Sequence, residues 1–331
     1  MRYRLQYKVY SRKFSRPVRM GSTWMDHRDG ILIRLTHESG DSGFGEIAPL
    51  ESFGSEAVEK AELLLKSFHE SIDSFAYGAI DDDEYPCTCY ALERAIRQLK
   101  KASVADAPSD PLPTAKLLQN DALDLAGVSA RQLSGVETIK IKIGDGVLDP
   151  YEEMQRIEQL VGWCLTRGKR IRLDANEQLD INTARDWLDF LSPHAEVIEF
   201  LEQPLDRCML AELAELSQGS PVPIALDESV AVLRYQENFV GKDDFLYVVK
   251  PSLGDLPIVE ALGIAEDRII LSSVFETAIG FAELLELPYR SRVGGFDTQS
   301  IFESDSLSYP MTEIGYLRRQ IDPASMWSRL P

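Results

Sequence analysis

An α/β chain built as a modified TIM (β/α) barrel with an N-terminal α+β capping domain is predicted by three features of the sequence. From Thr114 onward, strand-like and helix-like patterns alternate with a period of roughly 25 residues, the rhythm of βα units wound into a parallel barrel. Three of the apolar segments end in an acid: Ile171-Arg172-Leu173-Asp174, Ile198-Glu199-Phe200-Leu201-Glu202 and Ile224-Ala225-Leu226-Asp227. Before residue 105 the texture differs, with the apolar-polar alternation of a small antiparallel sheet.

Taken in order, alternation over residues 4–10, 30–36 and 42–47 predicts three strands of that sheet. Arg28-Asp29-Gly30 and Glu38-Ser39-Gly40-Asp41 carry the Asp and Gly residues that turns require, and both are read as turns. Apolar residues at helical spacing follow over 55–68 and 89–99, separated by the acidic run 81–84, which reads as a solvated loop. The proline-rich stretch 106–113 reads as a linker. This places the capping domain over 1–105, the barrel over 106–300, and a C-terminal segment over 301–331 that returns to pack on the capping domain. Barrel strands are expected at 114–119, 137–143, 170–174, 197–202, 222–227, 245–250 and 268–272, with a weaker one near 293–297. Asp149 can cap a helix whose first position suits Pro150, and Asn182 can begin the next.

Composition narrows the function. Hydrophobic residues at 44% and charged residues at 27% describe an ordinary globular enzyme. A net charge of -19 lacks the basic footprint that a phosphate backbone demands, so no nucleic acid is expected as a partner. The N-terminus has no apolar core of a signal peptide, and no run of about 20 apolar residues occurs, so a cytoplasmic or stromal protein with no membrane partner is expected. Cys87, Cys89, Cys164 and Cys208 have neither zinc-site nor disulfide spacing and read as buried free thiols. The four histidines, His27, His37, His69 and His194, include no pair at ligand spacing, so any bound metal must rely on carboxylates.

Asp174, Glu202 and Asp227 are 28 and 25 residues apart, about one βα unit per acid. Delivered to one rim of a barrel they form an oxygen-rich pocket for a hard divalent cation, the alternative being acids that merely cap the following helices. The second strand, Thr138-Ile139-Lys140-Ile141-Lys142-Ile143-Gly144, puts its isoleucines on one face and Lys140 and Lys142 on the other. In a barrel the lysines point into the mouth, whereas on an edge strand they face solvent. Lys250 ends the sixth strand, across the barrel from Lys142, as a reactive ammonium or as a structural partner of one of the acids. Removing a proton next to a carboxylate creates a doubly charged enediolate, which needs a cation at its oxygens and a base near its carbon. Lys142 suits the base if Lys140 and a divalent ion destabilise its ammonium.

At these residues the chain resembles the enolase superfamily, and within it the o-succinylbenzoate synthases of the menaquinone and phylloquinone pathways. The resemblance runs through Arg28-Asp29-Gly30, Gly45-Glu46-Ile47-Ala48-Pro49-Leu50, the Lys-x-Lys strand and Arg172-Leu173-Asp174-Ala175-Asn176. It continues through Glu202-Gln203-Pro204, Asp227-Glu228-Ser229, Lys250-Pro251-Ser252-Leu253-Gly254 and Ser272-Ser273-Val274-Phe275-Glu276. It implies that Asp174, Glu202 and Asp227 bind Mg²⁺, with Mn²⁺ as an alternative ion. It also implies a small-molecule carboxylate substrate, 2-succinyl-6-hydroxy-2,4-cyclohexadiene-1-carboxylate, dehydrated with Lys142 as base and then acid, Lys140 assisting and Lys250 over the opposite ring face. Ser272, Ser273 and Asn176 are implied substrate contacts, and Arg172 either an anion contact or a structural ion pair. Loops around 18–25 and 48–54 would close over the site. One departure is Asp255, where many relatives have a second glycine. Racemisation of N-succinylamino acids by the two lysines is the nearest alternative, and a metal-free aldolase using Lys250 as a Schiff-base nucleophile or a non-catalytic scaffold is more distant. The oligomeric state is open, a monomer being one reading.

Overall fold

The computed structural model describes residues 1–20, 23–100, 112–118, 133, 135–236, 239–309, 316–317 and 322–329. Its capping domain begins with a long antiparallel hairpin, β1 (Arg2–Met20) and β2 (Thr23–Thr36), flanked by β3 (Ser42–Ile47) and β4 (Ser71–Asp73) in the order β3-β2-β1-β4. Helices α1 (Val58–Ser67), α2 (Ser74–Gly78) and α3 (Pro86–Lys100) complete it. The turn at 37–41 is present, with His37 N–H donating to Asp41 O at 2.9 Å and Gly40 at φ +93°. Arg28-Asp29-Gly30, in contrast, is no turn. These residues lie inside β2, opposite Tyr10, Ser11 and Arg12. Gly30 is there because Tyr10 folds across it, and a Cβ would fall 2.4 Å from the phenol oxygen.

Alternate residues of the hairpin, Ile31, Ile33 and Leu35, form the cap core with Leu5, Ala91 and Ala95. α3 rests directly on β3. A Cβ on Gly43 would lie 2.0 Å from the carbonyl oxygen of Ala95, and one on Gly45 would lie 2.2 Å from that of Ala91. Because backbone cannot yield as a side-chain tip does, Gly45→Ala is expected to cost about 1–3 kcal/mol of stability. Urea unfolding of the variant checks this, and an unchanged midpoint would contradict such close packing.

The barrel sheet comprises β6 (Lys116–Leu118), β7 (Thr138–Lys142), β8 (Arg170–Asp174), β9 (Ile198–Glu202), β10 (Ile224–Leu226), β11 (Phe245–Val249) and β12 (Ile269–Leu271), all parallel and in sequence order. The two-residue strand β5 (Leu112–Pro113) pairs instead with β13 (Tyr316–Leu317). Residues 106–111 of the expected linker lie outside the described residues. The weak strand expected near 293–297 takes the form of two single parallel bridges, Gly294 to Thr114 and Gly295 to Ser272, which join the two edges of the sheet. Glycine permits this join, since a Cβ on Gly295 would meet Ser272 Oγ at 2.8 Å.

Between strands run α4 (Pro150–Leu165), α5 (Ile181–Leu191), α6 (Leu210–Ser217), α7 (Glu228–Leu233), α8 (Asp255–Ala261) and α9 (Ala278–Leu284), and α10 (Pro323–Arg329) follows β13. Asp149 caps α4, accepting from Tyr151 N–H, with Pro150 in the first turn. The cap of α5 is Asp180, two residues before the expected Asn182, and its Oδ1 accepts from Asn182 and Thr183 N–H. Ile139, Ile141 and Ile143 pack among the helices in the main core, as their alternation requires. Phe200, Ala225, Leu246, Val248 and Ile270 form a separate cluster on the opposite, inner face of the sheet. Cys87, Cys89 and Cys164 are buried free thiols, while Cys208 is exposed.

Three contacts fasten the cap and the C-terminal segment over the barrel. Glu46 accepts from Tyr10 Oη at 2.6 Å and from Thr277 N–H and Gly280 N–H at the start of α9. Arg28 donates to Pro49 O and to Val274 O. Arg12 binds Asp305 at 2.8 Å and lies over the Phe302 ring. The capping loop at 48–54 is thereby set beside the C-terminal ends of the strands.

Candidate active site

The strand ends carry the chemistry because register brings them level. Lys142 pairs with Asp174 across β7 and β8, Asp174 with Glu202 across β8 and β9, and Glu202 with Ala225, two residues before Asp227. Lys250 follows β11 directly, four strands along the sheet from β7. Lys140, Lys142, Asp174, Asp227 and Lys250 line one cavity of about 90 Å³, closed from above by Leu50 and Phe53 of the capping domain. Leu117, Lys142, Asn176 and Phe275 continue into an adjoining mouth of about 320 Å³, where Pro17, Val18 and Trp24 from the hairpin approach. Of the cap loops expected over the site, residues 21 and 22 lie outside the described residues.

Charge in this cavity is tightly interlocked. Lys140 Nζ lies 2.8 Å from Asp174 Oδ2 and 2.7 Å from Glu202 Oε2. Burial alone would push its ammonium down, but Asp174 and Glu202 outweigh that and hold it above the ordinary lysine range. Lys142 has no such excess of acid. Withdrawal from water pushes its ammonium below the usual value, Lys140 pushes the same way, and Asp174 only partly opposes them. Lys250 Nζ lies against Asp227 Oδ1 and 4.7 Å over the Phe53 ring. Burial lowers it to about 8, against the pull of Glu202 and Asp255.

The acids divide in the same way. Burial would raise Asp174, yet Lys140 and then Lys142 keep its carboxyl below the ordinary range. Burial and the Asp174 charge push Glu202 up. Glu228, next to Asp227, is raised to about 8 by burial and then by Asp174 and Glu177. Its Oε1 accepts from Asn176 Nδ2 at 3.2 Å, while its buried Oε2 has no partner among the described residues. Among the described residues no three His, Cys, Asp or Glu side chains are gathered as an ion-holding group as they stand, since ammonium groups lie on the acids. The donor chemistry nonetheless fits a hard divalent cation: all are carboxylates on one strand rim, close enough that the Asp174 charge pushes Glu202 and Glu228 up, with an orphaned Glu228 oxygen beside them.

Several residues expected at the site occupy defined places around it. Ser272 and Ser273 line the cavity, donating to Gly295 O and sharing a 2.7 Å bond with Thr298 Oγ1, respectively. Asn176, at φ +42°, reaches Glu228. Arg172 takes the second of the two roles open to it. The ladder slips so that Ile171 pairs with Ile198 and Arg172 with Phe200, leaving Glu199 as an extra residue. That bulge turns Glu199 toward Arg172, which binds it at 2.8 and 3.2 Å and donates to Val293 O. Its Nε and Nη2 are engaged there, and it does not line the lysine cavity.

Three residues escaped the sequence reading as site residues: Glu228, Phe53 and Gln203. The Gln203 carboxamide accepts from Asp227 and Ser229 N–H and donates to Leu205 O, fixing the backbone that carries Asp227. Its only sequence signal is its place directly after Glu202.

Comparison with known proteins extends this geometry. Residues 2–99 match the family model described as MenC, N-terminal domain, and residues 125–262 match that described as Enolase C-terminal domain-like. An o-succinylbenzoate synthase of Thermosynechococcus vestitus is 29% identical over 290 residues, covering 86% of this chain and 88% of that one. One from Proteus mirabilis is 29% identical over 298 residues, covering 84% of each. The crystal structure of o-succinylbenzoate synthase from Thermosynechococcus elongatus, complexed with Mg in the active site, superposes with a TM-score of 0.82 at 28% identity, over 99% of this chain and 100% of that one. The L-Ala-D/L-Glu epimerase of Bacillus subtilis shares the fold at a TM-score of 0.71 and 20% identity, over 96% of this chain and 99% of that one. Both domains match in order, on a barrel whose strand ends carry the acids and lysines described above, and the chain belongs to the enolase superfamily.

Proposed function

We propose that the chain is an o-succinylbenzoate synthase that dehydrates 2-succinyl-6-hydroxy-2,4-cyclohexadiene-1-carboxylate to 2-succinylbenzoate, a precursor of menaquinone and phylloquinone. The observation that carries this reading is the pair of lysines, Lys142 and Lys250, entering one cavity from strands four apart with the acids between them. Lys142, whose ammonium is already destabilised, is the base as the free amine. It takes the proton α to the carboxylate, and the C–H electron pair moves into the carboxylate as an enediolate. The resulting ammonium then gives that proton to the hydroxyl on the same side as the C–O bond breaks. Water departs, the ring becomes aromatic and Lys142 is again the free amine.

Proton transfer supplies about 10² to 10⁴ in rate, or roughly 3–5 kcal/mol, where enzymes commonly need at least about 8. Fixed positive charge must supply the remainder. Asp174, Glu202 and Asp227 would hold a Mg²⁺ ion, whose bound charge favours the enediolate oxygens over the less charged substrate. Lys250, held over Phe53, presents its ammonium to the opposite ring face, and Lys140 keeps Asp174 and Glu202 in place. Ser272 and Ser273 face the succinyl end, and Leu50 and Phe53 exclude water.

Loss of the cyclohexadiene chromophore on adding the purified protein with MgCl₂ tests the reading. Turnover is expected with Mg²⁺, to vanish in EDTA, and to return on resupply. Activity that survives chelation would refute it, as would deuterium entering N-succinylamino acids at a rate rivalling dehydration.

A further inference from the structure

The sheet ladder stops at Val249, which pairs with Leu271, so the next backbone N–H, that of Lys250, has no strand to donate to. It donates instead to Asp255 Oδ2 at 2.8 Å. Asp255 is 4% exposed and is the first residue of α8, so its carboxylate reaches back over five residues to the point where the strand becomes a loop. The intervening chain is already tight. Leu253 N–H donates to Lys250 O and Gly254 N–H to Pro251 O, and Ser252 Oγ donates to Glu276 Oε1. Gly254, at φ +79°, abuts Pro86 of the cap, where a Cβ would come within 2.9 Å of a ring carbon. The loop is therefore held at its middle by the Ser252 hydrogen bond and at its far end by packing, while at its near end Leu253 N–H holds the Lys250 carbonyl and Asp255 holds the Lys250 N–H.

We infer that Asp255 is a positioning residue, which through the Lys250 N–H holds the Lys250 ammonium over its face of the substrate. A glycine at 255 would offer no side-chain acceptor for the Lys250 N–H. The inference rests on the proposed dehydration for its kinetic readout but not for its structural one.

Asp255→Asn keeps a carbonyl oxygen able to accept from Lys250, whereas Asp255→Ala and Asp255→Ser do not reach it. The Asn variant is expected to keep kcat within about threefold of the unaltered enzyme with Mg²⁺ present. The Ala and Ser variants should lose about 10- to 100-fold in kcat at nearly constant KM, the scale of a reacting group misplaced by about 1 Å. Hydrogen–deuterium exchange over 248–254, read by mass spectrometry in the same holo samples, should quicken in the Ala and Ser variants alone. Should the Ala variant fail to fold, the Ser and Asn pair carries the same comparison. Wild-type kcat in Ala or Ser, or equal loss in Asn and Ser, would overturn the inference. If the unaltered protein shows no dehydration, the functional reading fails, and the exchange pattern alone decides whether Asp255 fastens Lys250.

Discussion

Lys142→Ala is expected to lower turnover of the cyclohexadiene substrate by about 10³- to 10⁴-fold, because one amine both removes the α-proton and returns it to the leaving hydroxyl. The upper part of the usual range for acid-base catalysis applies, since both proton transfers are lost together. The loss should not be structural. Ion pairs that hold the neighbouring acids belong to Lys140 and Lys250, and the isoleucines flanking Lys142 are packed on the far side of the strand. Thermal unfolding and Mg²⁺ binding, measured by calorimetry, should therefore stay close to the unaltered protein. Retention of activity within tenfold would remove Lys142 from the mechanism. Lys140→Ala makes an informative contrast: it strips a shared partner from two buried carboxylates and should damage stability as well as rate.

The barrel was legible because its strands announce their two faces. Isoleucine at 139, 141 and 143 faces the helices, and that fact alone sends Lys140 and Lys142 inward. The strand-terminal acids could be read for the same reason, as each ends an apolar run whose length sets its position on the rim. What escaped was whatever depends on a neighbour distant in sequence. Arg28-Asp29-Gly30 has turn composition, and only the Tyr10 ring across the strand explains Gly30. Glu228 carries no signal of its own beyond its place after Asp227, yet a helix starting at Glu228 brings its carboxylate beside Asn176. Glu199 is turned toward Arg172 by a bulge that no period-two pattern registers. The joining strand at 293–297 looked weak because it is reduced to two glycine bridges.

Lys250→Met separates fixed charge from proton transfer, since it keeps the volume over Phe53 and removes the ammonium. Turnover should fall by about 10²- to 10³-fold, the scale of deleting one preorganised group aimed at developing negative charge. The same change leaves Asp227 buried without its ion partner, for which about 3–5 kcal/mol of destabilisation is the usual consequence. If Asp227 also serves a cation, that loss should be large in EDTA and much reduced in Mg²⁺, so the unfolding temperature of the variant should depend more steeply on Mg²⁺ than that of the unaltered protein. An equal Mg²⁺ response in both would argue against Asp227 as a ligand, and unchanged turnover would argue against Lys250 as the stabilising charge. Any epimerase activity behaves differently under this substitution. Removing a proton from one face and delivering one to the other needs both lysines as carriers, so exchange into N-succinylamino acids should keep one stereochemical half and lose inversion altogether. Dehydration, in which the departing proton and hydroxyl share the Lys142 face, should survive at its reduced rate.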